Sequence, residues 1–224
     1  MEIAPNLHLI PGITCNPDLV VDTDGLTLID AGLPGSAKKI LRFLAGLGHV
    51  PQDLKRILIT HADFDHVGAL AKLQAATGAR VYASPVEAKA IAAGRASRPL
   101  KPRNAFYKLM FGITGLVFRA QPARVDELLS DGQVLPVLGG LRTVETIGHT
   151  PGHVSFFAPS SGILFVGDSL VSETSGLRGS TGMNTWDQSK ADEAVRKQAA
   201  LGPRLVCPGH GPVVPEAAGK FPQV

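Results

Sequence analysis

Short apolar runs separated by turn-forming residues dominate the first 30 positions of the chain. Runs of this kind, bounded by Pro, Gly, Asn and Asp, are typical of an antiparallel β-meander. The pattern predicts strands at residues 7–10, 19–21 and 26–29. The chain therefore begins as β structure.

Between residues 36 and 93, helical periods alternate with short apolar runs. Ser36 is a suitable helix cap. In the helix predicted after it, Ile40, Leu41, Leu44 and Leu47 share one face. Four more elements are predicted in order, namely a strand at 56–59, a helix at 66–76, a strand at 80–83 and a helix at 85–93. This stretch alternates β and α.

Residues 94–124 break that alternation, because glycines and prolines divide an apolar segment into short pieces. We predict an insertion there with one or two short helices. A second β series is predicted at 134–138, 141–147, 154–158 and 163–166, followed by a helix at 190–201 and a strand at 205–207. Two similar halves, each a sheet with helices outside it, would bury their sheets against one another. The pattern thus predicts an α/β fold, a four-layer αββα sandwich, in a single domain over residues 1–224, although no internal sequence repeat supports the two halves.

The composition fits a compact globular protein, with 44% apolar and 18% charged residues in a chain of 224. No stretch approaches 18 consecutive apolar residues, and the N-terminal sequence lacks the basic and apolar regions of a leader. We therefore expect a cytoplasmic protein without a membrane partner. Cys15 and Cys207 are too few for a disulfide framework, and reduced thiols are expected for both.

Positive charge is concentrated in one part of the chain, although the formal net charge is only +3. Residues 88–125 contain eight basic residues and no acidic one, interleaved with aromatic and apolar side chains. This composition suits a lid over a pocket for a small-molecule substrate, anionic or amphiphilic, or alternatively a solvated face. Nucleic acid is not an expected partner, because no second basic region is present; a homodimer stays open. The lid prediction names Phe106, Tyr107, Met110, Phe111 and Phe118.

Side chains that bind metals cluster at the ends of four predicted strands, in residues 60–68, 148–153, 167–168 and 208–211. These stretches contain five of the seven histidines, and scattered core histidines would not sort in this way. Loops at strand ends are where a rigid scaffold positions functional groups, and neighbouring glycines let backbone and metal approach closely. The candidate ligands are His61, Asp63, Asp65, His66, His149, Asp168 and His210.

Imidazole nitrogen and carboxylate oxygen suit zinc, manganese or iron as a bound ion. Seven such residues exceed what one tetrahedral ion requires, and they fit two divalent ions that share one carboxylate. Two ions about 3.5–4 Å apart can hold a hydroxide at neutral pH and polarise a carbonyl or phosphoryl oxygen. The pattern predicts a hydrolytic metal site.

The four motifs, in this order and over nearly the whole chain, resemble those of the metallo-β-lactamase superfamily. The resemblance implies the αββα sandwich, with a dinuclear site along one edge of the two sheets. It also implies that Asp30, in a Leu-Ile-Asp-Ala-Gly run, orients a ligand, and that His153 lies behind the ligands. By motif, the first metal would be bound by His61, residue 63 and His149, the second by Asp65, His66 and His210, and both by Asp168.

One position departs from the family pattern His-x-His-x-Asp-His, because Asp63 stands where the second histidine is usual. Its shorter and anionic side chain moves the metal preference toward manganese or iron, although zinc stays the first expectation. The flavodiiron branch of the superfamily has a Glu at this place and binds iron. Direct ligation, contact through a water and a weakly filled first site all remain open for Asp63.

The branch of the superfamily is indicated by residues near the last two motifs. Val171 stands where the quorum-signal lactonases have a Tyr, and Asp168 stands where true β-lactamases have a Cys ligand. The chain also lacks the basic C-terminal helical region of glyoxalase II and the long tRNA-binding insertion of RNase Z. It most resembles small stand-alone hydrolases with lactonase-like or esterase-like activity.

We therefore predict a metallo-hydrolase of an ester, lactone or thioester that uses a hydroxide bridging two metal ions. Asp65 is the predicted catalytic residue, which helps to move a proton to the leaving oxygen. An iron-dependent oxidoreductase related to flavodiiron proteins, a phosphodiesterase, and a non-catalytic module that binds metal or nucleic acid are the alternatives.

Overall fold

The computed structural model describes residues 1–99, 120–174 and 176–224. Most of the insertion predicted at 94–124 therefore lies outside the described residues. The same holds for all five predicted lid residues, namely Phe106, Tyr107, Met110, Phe111 and Phe118. The lid stays a prediction.

One sheet is built by the first half of the chain and has seven strands that are adjacent in sequence order. The first four strands pair antiparallel, as the predicted meander requires, and the last four run parallel to one another. The strands are β1 (Glu2–Ala4), β2 (Leu7–Leu9), β3 (Asp18–Asp22), β4 (Gly25–Ile29), β5 (Leu54–Leu58), β6 (Arg80–Ala83) and β7 (Glu127–Leu128).

A second sheet has six strands and is built by the second half of the chain. Its strands in chain order are β8 (Val134–Leu135), β9 (Leu141–Glu145), β10 (Val154–Ala158), β11 (Ile163–Gly167), β14 (Leu205–Pro208) and β15 (Val214–Pro215). A separate hairpin is formed by β12 (Leu170–Glu173) and β13 (Gly176–Gly179). Across the sheet the order is β15-β14-β11-β10-β9-β8. The strand predicted at 134–138 ends at Leu135, since Pro136 has no N–H to continue the ladder.

In the described ranges, five α-helices accompany the sheets, together with 3₁₀ turns at Pro51–Asp53 and Gly182–Asn184. The helices are α1 (Ser36–Gly46), α2 (Phe64–Val67), α3 (Leu70–Thr77), α4 (Pro85–Ala92) and α5 (Gln188–Ala199). The single helix predicted at 66–76 is therefore two helices. The break has a physical cause, because the His66 carbonyl accepts a hydrogen bond from the Ala31 N–H at 2.7 Å and does not continue the helical ladder.

The core is divided by the alternation of side chains along the strands. In β3, Leu19 packs into the cluster that holds α1, α3 and α4 on the first sheet, whereas Val20 faces the second sheet. Phe156 and Phe165 fill the space between the sheets from β10 and β11, and Val195 of α5 packs on the outer face of the second sheet. Helix, sheet, sheet and helix thus lie in four layers, which confirms the predicted αββα sandwich.

Both thiols are buried and free, as the sequence indicates. Burial raises the pKa of the Cys15 thiol to about 12. Among the helices in the described ranges, none combines the length and the apolar character that crossing a membrane requires.

Candidate metal centre

The ends of parallel strands bring the candidate ligands to one edge of the sandwich. Strands β4 and β5 run parallel, and Asp30 and His61 follow their ends within three residues. Strands β11 and β14 also run parallel, and Asp168 and His210 follow their ends within two residues. The carboxyl ends of parallel strands meet at the same edge, where open α/β sheets bind their ligands. His149 reaches this edge from the loop between β9 and β10.

All seven predicted ligand residues meet at this edge. Among the described residues, their donor atoms fall into three overlapping groups, and within each group the donor atoms lie within 4.8 Å of one another. We name the two outer groups by their aspartates. The Asp63 group is His61, Asp63 and His149, the Asp65 group is Asp65, His66 and His210, and the third is His61, His66 and Asp168.

Asp168 lies between the two outer groups and contacts both of them. Its Oδ1 atom is 3.3 Å from Nε2 of His66. Its Oδ2 atom is 3.5 Å from Nε2 of His210 and 3.7 Å from Nε2 of His149. A carboxylate in this place is able to share its oxygens between two cation sites.

The donor atoms fit a divalent metal ion, as their hydrogen bonding demonstrates. In the part of the chain that the structure describes, four of them are buried without a hydrogen-bond partner, which are Nε2 of His61, Nε2 of His66, Oδ1 of Asp63 and Oδ1 of Asp168. Leaving a buried polar atom unpaired costs about 1–3 kcal/mol, so four such atoms at one place favour a shared cation as their partner. Nitrogen and carboxylate oxygen are the donors that zinc, manganese and iron accept.

The four ligand histidines are held in one orientation by their outer nitrogens. In each ring, Nδ1 contacts a neighbouring oxygen and Nε2 faces the centre, so the Nε2 lone pair is the one directed at a metal. The Nδ1 partners are the Thr60 hydroxyl for His61 at 3.0 Å, Asp30 for His66 at 2.8 Å, the Ser180 hydroxyl for His149 at 3.1 Å and the Thr14 carbonyl for His210 at 3.2 Å.

Asp30 is the residue that ties His66 to the end of strand β5. Its carboxylate accepts hydrogen bonds from the Thr60 N–H at 2.9 Å and the Thr60 hydroxyl at 2.8 Å, in addition to His66 Nδ1. Its backbone is left-handed, with φ of 58°. An Asp tolerates this conformation better than most residues, and the bend directs its side chain toward the centre.

His153 lies behind Asp168 and has both ring nitrogens engaged. Its Nδ1 contacts the Thr146 hydroxyl at 2.9 Å, and its Nε2 accepts the Asp168 N–H at 3.2 Å. Burial and the neighbouring imidazole of His149 lower the pKa of His153 to about 3, so the ring is neutral. It supports Asp168 from behind and has no lone pair left for a metal.

Carboxylates and imidazoles perturb one another strongly across the centre. Burial raises the pKa of Asp168, but the charge of His66 and a hydrogen bond from His210 outweigh it and hold that pKa well below its usual range. Burial lowers the pKa of His66, but the charges of Asp168 and Asp30 raise it further than burial lowers it. Hydrogen bonds to Asp168 and Asp65 raise the pKa of His210 to about 10. In the metal-free protein, protons on His66 and His210 therefore balance these carboxylates.

Arg98 contacts the centre, and the sequence did not indicate this role. Its Nη2 donates to Oδ2 of Asp63 at 2.6 Å, and the same oxygen is 3.2 Å from Nε2 of His149 and 3.8 Å from Nε2 of His61. Burial alone raises the pKa of Asp63, but the hydrogen bond with His149 and the charges of His61 and Arg98 lower it overall. In the sequence Arg98 is one of eight basic residues at 88–125, and no spacing links it to Asp63.

Glu87 of α4 is a second residue that sequence reasoning missed. Its fully buried carboxylate accepts the Ala62 N–H at 2.8 Å, the Gly152 N–H at 3.0 Å, the Thr150 hydroxyl at 2.7 Å and the Ser97 hydroxyl at 2.9 Å. Ala62 is next to His61, and Thr150 is next to His149. One carboxylate thus joins the two loops that carry the Asp63 group.

The sequence does contain a weak signal for Glu87. Ser84-Pro85-Val86-Glu87 has the form of a helix capping box. The Ser84 hydroxyl indeed accepts the Glu87 N–H at 3.3 Å, whereas the Glu87 side chain contacts the ligand loops instead. A capping pattern alone does not reveal which of these contacts the glutamate makes.

An open pocket of about 410 Å³ lies over the donor groups. Its floor includes Asp63, Asp65, His149, Asp168 and His210. Arg98 forms part of the walls. The β12–β13 hairpin and the turn after it form the rest, through Val171, Arg178, Ser180, Thr181 and Asn184. A volume in the range of about 300–1,000 Å³ is typical of small-molecule sites.

Comparison with known proteins identifies the family of this fold and centre. A family model for the metallo-beta-lactamase superfamily matches residues 12–210. The chain belongs to this superfamily. The match includes every candidate ligand, and the family resemblance drawn from the four motifs is confirmed.

The superfamily members that are similar to this chain include proteins named as hydrolases. The probable metallo-hydrolase YflN of Bacillus subtilis is 30% identical over 210 residues, which cover 82% of this chain and 74% of YflN. A hydroxyacylglutathione hydrolase of Cereibacter sphaeroides is 31% identical over 160 residues, and these are 70% of this chain and 48% of that protein. The match thus spans about half of the length of that second relative.

A similar structure is the metallo-beta-lactamase family protein TTHA1429 of Thermus thermophilus. It has 25% sequence identity and a TM-score of 0.75, and the match covers 98% of this chain and 78% of that one. Together with the donor groups, the family and these relatives support a metallo-hydrolase.

Proposed function

We propose that this metallo-β-lactamase superfamily member is a metal-dependent hydrolase of a small ester, lactone or thioester. The observation that supports this proposal is the convergence of the three donor groups, with four buried and unpaired donor atoms, at the floor of an open pocket. A purely structural ion would be enclosed by its ligands, whereas a catalytic ion keeps a position open to substrate.

The residues that would hold divalent metal are the two outer groups with Asp168 between them. Zinc is the first candidate, and the carboxylate of Asp63 widens the choice to manganese and iron. When bound, a divalent ion lowers the pKa of water and polarises a carbonyl oxygen. The number of two ions, which was inferred from the sequence, stays a prediction. The guanidinium of Arg98 already contacts Asp63, one of the residues that would bind the first ion.

Asp65 is the residue that we assign to proton transfer. Its side chain is 30% exposed at the pocket floor, and its Oδ2 atom lies 3.1 Å from Nε2 of His210. Burial raises its pKa, but the hydrogen bond from His210 and the charge of His66 lower the pKa overall, so Asp65 is ionised at neutral pH. It accepts a proton from the attacking water and returns it to the leaving oxygen or sulfur as the acyl bond breaks.

The pocket walls favour a small polar substrate with an anionic group. Arg178 contributes a cation at the rim, and its guanidinium also contacts Glu173 at 2.6 Å, so a substrate anion would exchange with that surface partner. Thr181 and Asn184 add hydrogen-bonding groups beside it. The Cereibacter relative is named for hydroxyacylglutathione, which is an anionic thioester, and this agrees with the proposed class.

The test is a hydrolysis panel run on metal-loaded protein. It contains chromogenic esters, lactones of different ring size, acyl thioesters and a chromogenic phosphodiester. We expect turnover of at least one carbonyl substrate, and a loss of about 10³-fold or more in Asp168→Asn, because Asp168 contacts both outer groups. Asp192→Asn in α5 is the matched control, since it removes the same charge from a residue that does not line the pocket.

Two results would contradict the proposal. One is a metal-loaded protein that hydrolyses no member of the panel. The other is an Asp168→Asn variant as active as Asp192→Asn. Bound iron together with redox activity, and no hydrolysis, would favour the iron-dependent oxidoreductase instead.

A further inference from the structure

The two outer donor groups differ in the cations that already accompany them. In the Asp63 group, Oδ2 of Asp63 faces both imidazoles, at 3.2 Å from His149 and 3.8 Å from His61. That same oxygen accepts a hydrogen bond from Nη2 of Arg98 at 2.6 Å. The atom best placed to complete a metal site with the two histidines is therefore bound to a guanidinium.

Arg98 is held in this position from two sides. Its side chain is only 9% exposed, and its Nη1 atom donates to the carbonyl of Met183 at 3.2 Å. A charge-assisted bond between guanidinium and carboxylate is among the stronger contacts in proteins, and it strengthens away from water. Arg98 thus contacts the centre through one end of its guanidinium and the Met183 carbonyl through the other.

Among the residues that the structure describes, no such cation accompanies the Asp65 group. Within residues 1–99, 120–174 and 176–224, no Lys or Arg side chain makes a hydrogen bond or ion pair with Asp65 or Asp168. The partners of these carboxylates are imidazoles, with Asp65 at 3.1 Å from His210 and Asp168 at 3.3 Å from His66. An imidazole has a lone pair that it can offer to a metal, whereas a guanidinium has only hydrogen-bond donors and offers none.

We propose that the guanidinium of Arg98 takes the place of the first metal ion, so that the protein holds a single divalent ion in the Asp65 group with Asp168. A dication in the Asp63 group would lie against the positive charge of a guanidinium that is 9% exposed and already hydrogen-bonded to Asp63. The inference rests on the proposed function, because it concerns the same metal centre. It makes Asp63 and Arg98 a matched pair rather than a weakened ligand and an unrelated basic residue.

An alternative role for Arg98 leads to the opposite expectation. Oδ1 of Asp63 is buried and unpaired, so Asp63 could bind a metal through Oδ1 while Arg98 merely orients the carboxylate through Oδ2. In that case, removal of the guanidinium would weaken metal binding. If Arg98 replaces a metal, its removal would instead add a second ion.

The experiment measures zinc bound per chain in wild type, Arg98→Met and Arg98→Gln. Each protein is stripped with a chelator and titrated calorimetrically with Zn²⁺, and its metal content is determined after dialysis. Arg178→Met is the matched control, because Arg178 lines the same pocket but contacts Glu173 and Thr181 rather than a donor group. We expect one ion in wild type and in the control, and two in both Arg98 variants.

Manganese loading gives a spectroscopic readout that is independent of the calorimetric titration. Two Mn²⁺ ions about 3.5–4 Å apart are magnetically coupled, and a single ion is not. We expect an uncoupled electron paramagnetic resonance spectrum from wild type and a coupled spectrum from Arg98→Met. Circular dichroism identifies any variant that fails to fold, in which case the wild-type count and the Arg98→Gln variant decide.

Two tightly bound ions in wild type would overturn the inference and leave the hydrolase proposal intact. The same conclusion would follow if the folded Arg98 variants bound one ion or none. A wild-type protein that binds no divalent ion would contradict the proposed function itself. The two failures are thus distinguishable by the wild-type count alone.

Discussion

Glu87→Gln tests whether one buried carboxylate positions the two loops of the Asp63 group. Oε2 of Glu87 accepts the Ala62 N–H, and Oε1 accepts the Gly152 N–H and two hydroxyls. A glutamine has a single acceptor oxygen at the end of its side chain. In either orientation of the amide, one backbone N–H faces an NH₂ group, although the hydroxyls are free to rotate and accept.

The magnitude follows from that count. One buried N–H without a partner costs about 1–3 kcal/mol, and the remaining bonds lose a charged acceptor. We expect the free energy of unfolding of the metal-free protein to fall by about 2–3 kcal/mol. Because the two loops carry His61 and His149, we also expect metal affinity to fall about 10-fold to 100-fold, the range typical of residues that orient ligands.

Urea unfolding of chelator-treated protein isolates the first effect from metal binding. Competition with a chromophoric chelator then measures metal affinity. Glu193→Gln is the control, because this exposed glutamate of α5 pairs with Lys190 at 3.1 Å on the surface, and it should leave both quantities nearly unchanged. If Glu87→Gln were no more destabilised than the control and bound metal equally well, the assigned role of Glu87 would be refuted.

Three further predictions concern the centre and its surroundings. Gly209→Ala should weaken metal binding in a chelator competition, because a Cβ there would lie 2.4 Å from Oδ1 of Asp168. Gly46→Ala is the control, because it has open space around it and should leave metal affinity unchanged. Equal affinities of the two variants would contradict the close approach of Gly209 to Asp168. Metal affinity should rise with pH and level off above about 10, because His210, with its pKa raised to about 10, must lose a proton to bind a metal. Calorimetry in buffers of different ionisation enthalpy detects the released proton. A metal affinity that does not change with pH would contradict this coupling. Cys15 should react with a thiol reagent only after unfolding, because its pKa is about 12 and its side chain is buried; rapid labelling of folded protein would argue against this burial.

Features that repeat along the chain were predictable from the sequence. Alternating apolar positions and turn residues indicated the strands, and two sheets with helices outside have few ways to bury their faces, so the αββα sandwich could be predicted. The candidate metal centre was also predictable, because residues 60–68 place several side chains of metal-binding type directly after one strand. These patterns are formed by residues that are close together in the sequence, or they recur at each strand end, and a single sequence therefore reveals them.

Contacts between distant segments were not predictable in the same way. Arg98 reaches Asp63 across 35 residues, and Glu87 reaches Gly152 across 65, and no periodicity connects either pair. The division of the predicted helix at 66–76 has a similar origin, since it follows from a hydrogen bond between Ala31 and His66. These details depend on how the two halves of the chain pack.

The structure gives a physical reason for the aspartate at position 63. A histidine there would add a neutral donor, whereas Asp63 provides the negative charge that a buried guanidinium requires. Because an unpaired buried charge is strongly unfavourable, the two residues stabilise one another. The departure from the family pattern and the cation of Arg98 are thus two parts of one arrangement.

Elemental analysis of protein purified without added metal tests the central claim most directly. Wild type should contain a divalent metal, with zinc first, at one ion per chain, and Asp168→Ala purified in parallel should contain almost none, because Asp168 contacts both outer donor groups. A wild-type protein without metal, or a folded Asp168→Ala variant with the same metal content as wild type, would contradict the claim that this edge of the sandwich is a metal centre.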